Sequence, residues 1–199
     1  MKIVLASQSP RRKELLERMG ISEFEVIPAK GEEIATRALG PDRLVEELSR
    51  RKCAEVSVLR PDALVIAADT VVAVNNKILG KPHSEAEADR MLRALSGRPH
   101  MVYTGVTVFF GGETVTESEF TSVRFRALTD ADIIRYIATG EPMDKAGAYG
   151  IQGYGCTLVE GISGDYYNVM GLPVCRLARL LARFGVDPLA LAAEKERER

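Results

Sequence analysis

The sequence predicts a mixed α/β fold, α+β in character, built on a mixed sheet, and three observations carry that reading. Leu64 to Ala68 is an unbroken apolar run bounded by Pro61-Asp62 and Asp69, the pattern of a strand buried on both faces. Two hairpins follow, Thr70 to Leu79 about Asn75-Asn76 and Met101 to Phe125 about Gly111-Gly112, so part of the sheet is antiparallel. Helical periodicity fills the segments between and after the strands, an order unlike that of a doubly wound parallel sheet. At 199 residues the chain suffices for one large domain or two compact lobes, and a chain of this size buries roughly 70% of its unfolded surface.

The elements follow in order. Ile3, Val4, Leu5 and Ala6 form a first strand that runs through Ser7-Gln8-Ser9 into a helix with Ser9 at the N-cap, Pro10 at the first position and Leu15, Leu16 and Met19 as the apolar stripe. Phe24 to Ile27 is a short strand, followed by a polar loop with Glu32 and Glu33. Gly40-Pro41-Asp42 opens a second helix that buries Leu44, Val45 and Leu48 and carries Lys52 in its later turns. Ser84 and Glu87 have the spacing of a capping box, with Ala88, Met91, Leu92 and Leu95 at helical spacing behind them. Thr129 caps a further helix that ends at Gly140. Residues 141–173 are rich in glycine and tyrosine and predict loops and short strands close to a ligand. Val174 to Phe184 and Pro188 to Arg199 are the last two helices.

Composition excludes several function classes. Lys and Arg number 27 against 28 Asp and Glu, so no basic excess supports a nucleic-acid partner, and any anion site is local. The three cysteines, Cys53, Cys156 and Cys175, are widely spaced and suggest neither a disulfide framework nor a zinc site, which fits a reducing cytoplasm. Two histidines, His83 and His100, make imidazole ligation or a hydrolytic triad poorly supplied and turn attention to carboxylates. No apolar run approaches membrane-spanning length, and the amino terminus lacks a signal-type apolar region, so no membrane partner is expected. The spacings of P-loop, Rossmann, zincin and α/β-hydrolase motifs are all absent.

Four stretches carry candidate chemistry. Arg11 and Arg12 fall in the first helical turn, where the macrodipole disfavours cations by up to ~1 kcal/mol unless an anion sits beside them. Backbone N–H groups, the hydroxyls of Ser7 and Ser9 and two guanidinium forks then suit a polyphosphate, the alternative being two arginines in water. Asp69, directly after the apolar run, is placed at the carboxyl end of a strand, where α/β folds put ligand crevices, or else caps a turn. Lys81 stands between Gly80 and Pro82, as a held ammonium for phosphate or as ordinary loop composition. Glu141 to Gly153 packs two carboxylates, the Gln152 amide, Lys145 and three glycines into thirteen positions. There Asp144-Lys145 reads as a turn with solvated charges, and Gln152 either braces the loop or presents its amide to a base edge.

Taken together, Leu5-Ala6-Ser7-Gln8-Ser9-Pro10-Arg11-Arg12, Ala68-Asp69-Thr70-Val71-Val72, Leu79-Gly80-Lys81-Pro82, Leu95-Ser96-Gly97 with His100, Asp144-Lys145-Ala146-Gly147 and Gly171-Leu172-Pro173 resemble the Maf family over nearly the whole chain. The resemblance implies one Maf-like domain of two lobes over residues 1–199, with the inosine-triphosphatase-like mixed α/β fold and a cleft between the lobes. It implies a metal-dependent nucleoside triphosphate pyrophosphatase that releases a nucleoside monophosphate and pyrophosphate, with house-cleaning of modified pyrimidine nucleotides as one use. The stretch Ala148-Tyr149-Gly150-Ile151-Gln152-Gly153 is similar to the branch acting on dTTP and UTP, whereas a sister branch linked to 7-methyl-GTP has Glu near the position of Gln152.

Carried over position by position, the resemblance makes Asp69 the proton acceptor and ties Arg11, Thr70 and Gln152 to substrate choice. It gives phosphate binding to Ser7, Ser9, Arg12, Lys52 and Lys81, and a Mg²⁺ or Mn²⁺ ion to Glu33 and Asp69. Glu32 stands where the family often has Asp, which leaves its metal role open. Hard oxygen ligands suit such an ion. A Gln amide pairs with N3–H and O4 of thymine or uracil, and when flipped it matches cytosine. The rival reading is a non-catalytic nucleotide-binding regulator of cell division or septum formation. A homodimer is compatible with the sequence, which does not fix oligomeric state.

Overall fold

The computed structural model describes residues 1–30, 39–75 and 77–197; Glu32, Glu33 and Asn76 lie outside them. Its strands are β1 (Ile3–Leu5), β2 (Glu25–Val26), β3 (Leu64–Val74), β4 (Lys77–Leu79), β5 (Pro99–Phe110), β6 (Glu113–Phe125) and β7 (Val159–Ser163). Its α-helices are α1 (Pro10–Arg18), α2 (Pro41–Leu59), α3 (Glu85–Leu95), α4 (Asp130–Ala138), α5 (Tyr166–Met170), α6 (Val174–Ala182) and α7 (Pro188–Arg197). The sheet order is β2-β1-β3-β5-β6-β7, with β4 paired to β3 off this path. β1 is parallel to both β2 and β3, whereas β3–β4 and β6–β7 are antiparallel, so the sheet is mixed as expected.

The chain divides into two compact units, the first comprising Met1–Asp69, Thr104–Glu119 and Gly171–Arg199. There β1 lies beside β3 with Ile3 opposite Leu64 and Leu5 opposite Ile66, and the ladder continues as Ala6 donates to the Ile66 carbonyl at 2.8 Å. Helix α2 buries Leu44, Val45, Leu48, Cys53 and Val56, while Arg50 and Arg51 pair with Glu47 on its surface. Cys53 and Val56 share an apolar cluster with Val4, Ala6, Val65 and Ala67, which brings the neighbouring Lys52 to β3. Each buried Val or Leu of such a cluster contributes ~1.5–3 kcal/mol. Burial pushes the Cys53 thiol up to about 12, so it stays a packing group and not a nucleophile.

The second unit comprises Thr70–Tyr103 and Phe120–Met170. Its core joins Val72, Ala88, Leu92, Leu95, Val102, Phe125, Ile133, Ile137 and Tyr149. Helix α4 begins in a full capping box between Thr129 and Asp132. At α3 only half of the expected box forms: Ser84 accepts from the Glu87 backbone, but the Glu87 carboxylate turns one residue further back, to the His83 N–H at 2.8 Å.

One expectation about the sheet is overturned. Leu64–Ala68 and Thr70–Val74 are not two strands parted at Asp69; they are one eleven-residue strand, and Asp69 lies in its middle. A carboxylate inside an apolar run reads as a break because an unpaired buried charge is very costly. Here Lys52 supplies the opposite charge, so the ladder continues past it. The hairpin beyond is as expected, with Val74 opposite Lys77.

Candidate active site

The first group of predicted residues gathers where β1 leaves the sheet and α1 begins. Ser7 is buried, and its hydroxyl oxygen accepts from the Ser9 N–H at 3.2 Å and from Arg12 Nη1 at 3.2 Å. Arg12 Nε donates to the Gly171 carbonyl at 2.8 Å, which ties the first motif to Gly171-Leu172-Pro173 at the other end of the sequence. Ser9 occupies the N-cap of α1, yet its side chain makes no capping bond, and the oxygen that takes up its N–H is that of Ser7. The first turn of α1 holds no acidic residue and carries both arginines. With cations at the positive end of the helix dipole, the turn gains most from an anion placed beside it.

The second group is the ion pair of Lys52 and Asp69, the ammonium contacting Oδ1. Their side chains are only 19% and 7% exposed, so both charges are largely withdrawn from water. Removing one partner of such a pair typically costs about 3–5 kcal/mol, because the other is stranded. The pair therefore sets a carboxylate against an ammonium on β3, at the last residue of the first unit, with half-buried Thr70 next to it on the strand. Lys52 is thus a partner of the proposed base itself, a link its spacing from Asp69 does not reveal.

Thr70, Lys81 and Gln152 belong to the second unit. Lys81 and Gln152 are exposed. Three motifs meet at Gly147, whose N–H donates to the Gly80 carbonyl at 3.0 Å and whose position, at φ +69°, leaves no room for a side chain: a Cβ there stands 2.8 Å from Val72 Cγ2. Ala68-Asp69-Thr70-Val71-Val72, Gly80-Lys81-Pro82 and Asp144-Lys145-Ala146-Gly147 therefore converge on this glycine. Asp144-Lys145 is not a turn of two solvated charges. The Lys145 side chain is 14% exposed and donates to Asp144 at 2.5 Å and to the Glu141 carbonyl at 2.7 Å.

Two further side chains organise this region. His100 is 2% exposed, bonds Tyr149 through Nε2 at 2.8 Å, and lies edge-on to Phe125 and Tyr149, while its Nδ1 has no hydrogen-bond partner. Burial pushes its pKa down to about 4, so the imidazole is neutral at neutral pH. Glu141 accepts from Tyr136 Oη at 2.8 Å, from Tyr154 N–H at 2.7 Å and from Gly155 N–H at 3.0 Å. The sequence marks Glu141 as one carboxylate of a dense stretch, but nothing in its spacing shows which groups it binds.

Among the described residues no cluster of three His, Cys, Asp or Glu side chains forms a metal site, and Glu33 lies outside them. Of the two expected ligands, Asp69 has carboxylate oxygens of the hard type that suits Mg²⁺ or Mn²⁺. No helix among the described residues is long and apolar enough to cross a membrane.

Known proteins are similar to this chain along most of its length. A dTTP/UTP pyrophosphatase of Moorella thermoacetica is 53% identical over 94% of this chain and 96% of its own, and one of Symbiobacterium thermophilum is 51% identical over 92% and 94%. A HAM1 protein from Coxiella burnetii shares the fold, with a TM-score of 0.54 at 16% identity over 92% of this chain and 99% of that one. The family model of the Maf-like proteins matches residues 2–184, and the chain belongs to the Maf family.

Proposed function

We propose that this chain hydrolyses nucleoside triphosphates, dTTP and UTP foremost, to the nucleoside monophosphate and pyrophosphate. The observation that supports it most is identity of about half, along nearly the whole chain, to proteins named dTTP/UTP pyrophosphatase, with the Lys52–Asp69 pair formed. Asp69 takes a proton from water as the oxygen attacks the α-phosphorus. The bond from that phosphorus to the α,β-bridging oxygen breaks, and pyrophosphate leaves with its electron pair. Ser7, Ser9, Arg12, Lys52 and Lys81 offset the charge that gathers on the phosphates, the larger share of the work in such a transfer. Asp69 and Glu33 would hold Mg²⁺ or Mn²⁺, which neutralises phosphate charge when bound. Arg11, Thr70 and Gln152 set substrate choice, with the Gln152 amide facing the N3–H and O4 edge of the pyrimidine.

Incubation with dTTP and Mg²⁺ followed by chromatography of the products tests this. Equimolar dTMP and pyrophosphate are expected. Intact dTTP that remains bound favours the non-catalytic regulator, and dTDP with phosphate puts the cleavage at the wrong bond.

A further inference from the structure

We infer that Glu141 is a positioning residue for base recognition, acting by fixing the loop that carries Gln152. The inference rests on Gln152 reading the base. Between α4 and β7 the chain has only short 3-10 turns, Glu141–Asp144, Ala146–Ala148 and Tyr154–Leu158. Backbone N–H groups at such turn entries lack helical acceptors and need others.

The Glu141 carboxylate is that acceptor on both flanks of Gln152. On the downstream side it takes the Tyr154 N–H on Oε2 and the Gly155 N–H on Oε1. On the upstream side Tyr136 Oη donates to Oε1 and itself accepts from the Gly150 N–H at 3.0 Å, so the hydroxyl relays the same anchor to Gly150. Gly153 lets the carboxylate approach: a Cβ at that position falls 2.1 Å from Oε2. Burial raises the carboxyl pKa, but the bonds from Gly155, Tyr136 and Tyr154 outweigh it and hold Glu141 below the usual range, as expected for a carboxylate needed in its charged form. Gln152 therefore sits on a short arch whose two feet stand on one charged group.

The test uses the full chain and kcat and KM for dTTP, UTP, CTP and GTP in Glu141→Gln, Gln152→Ala and the double variant, with Tm for each. Gln replaces one carboxylate oxygen by an NH₂ that cannot accept, so either the Tyr154 N–H or both the Gly155 N–H and Tyr136 Oη lose their acceptor while size and shape persist. The expected result for Glu141→Gln is a roughly ten-fold loss of kcat/KM for dTTP and UTP, the scale of one lost hydrogen bond to a charged group, with a much smaller change for GTP. Added to Gln152→Ala, it should change the ranking of the four triphosphates no further. An equal loss for all four in Glu141→Gln, beside a re-ranking in Gln152→Ala, overturns the positioning role alone. An equal loss for all four in Gln152→Ala overturns the base reader itself. Should Glu141→Gln fail to fold, Tyr136→Phe releases only the Gly150 foot and must shift the ranking in the same direction by a smaller factor; an unchanged ranking overturns the inference.

Discussion

In the first unit Lys52 and Asp69 stand on a helix of nineteen residues and a strand of eleven, whereas in the second Gln152 stands among 3-10 turns of three to five residues. Regular elements fix the charged pair by backbone ladders, and each side chain then fixes the other. The loop has no ladder, so side chains take over its backbone groups: Glu141 and Tyr136 accept the N–H groups of Gly150, Tyr154 and Gly155. The contrast matches the chemistry asked of each region. On the proposed reading, hydrolysis draws on a fixed set of charges common to every triphosphate, while choice among bases draws in part on the placing of a neutral amide.

The comparison is open to breakage, most of all at Asp69. Asp69→Asn should lower kcat by roughly 10²–10⁴-fold for every triphosphate, with KM changed far less. Near-normal turnover in the folded variant, assayed well below its Tm, would remove Asp69 from the chemistry. Next in size is Arg12→Ala, for which kcat/KM should fall by about 1.5–3 kcal/mol, the range for hydrogen bonds to charged groups. The loss should be equal for dTTP, UTP, CTP and GTP. A selective loss of the pyrimidines would show that Arg12 acts with Arg11 in choosing the base, and its assignment to the phosphates alone would fail.

The last effect is on stability and not on turnover, and it concerns His100, which braces Tyr149 beside the loop. Its pKa of about 4 in the folded chain lies below the ordinary value near 6.5, so between these values the unfolded chain binds a proton that the folded chain does not. Stability is therefore full above about pH 6.5 and falls as the pH drops toward 4, by at most about 1.4 kcal/mol per pH unit from this group. Denaturant titrations across this range should show a steeper slope for the parent than for His100→Phe. Equal slopes would mean that the imidazole is hydrated, and not buried neutral.

Much of this architecture is legible in the order of the residues alone. The Gly111-Gly112 turn, the Thr129 cap and the stripes of α2 and α3 are local signals, and the residues between them obey the periodicity. The continuity of β3 is not legible in this way, because it depends on Lys52, seventeen positions before Asp69, reaching the carboxylate across the packing of α2 on the sheet. The Ser7 to Arg12 motif announces its arginines but not the Gly171 carbonyl that orients one of them. The partners of Glu141 are silent for another reason: two of its three donors are main-chain N–H groups, which any residue but proline provides, so no side-chain pattern marks them.

The anchoring of the Gln152 loop also has an evolutionary corollary. The carboxylate, the hydroxyl relay and the amides they hold all lie within residues 136–155, so the device is encoded in a single short stretch of sequence. On the proposed reading, a duplicated gene that exchanged this segment would alter the setting of Gln152 while Asp69 and the proposed phosphate-binding residues, encoded elsewhere, stayed as they were. Grafting the segment between relatives would then separate the share of selectivity that it carries from the share carried by Arg11 and Thr70.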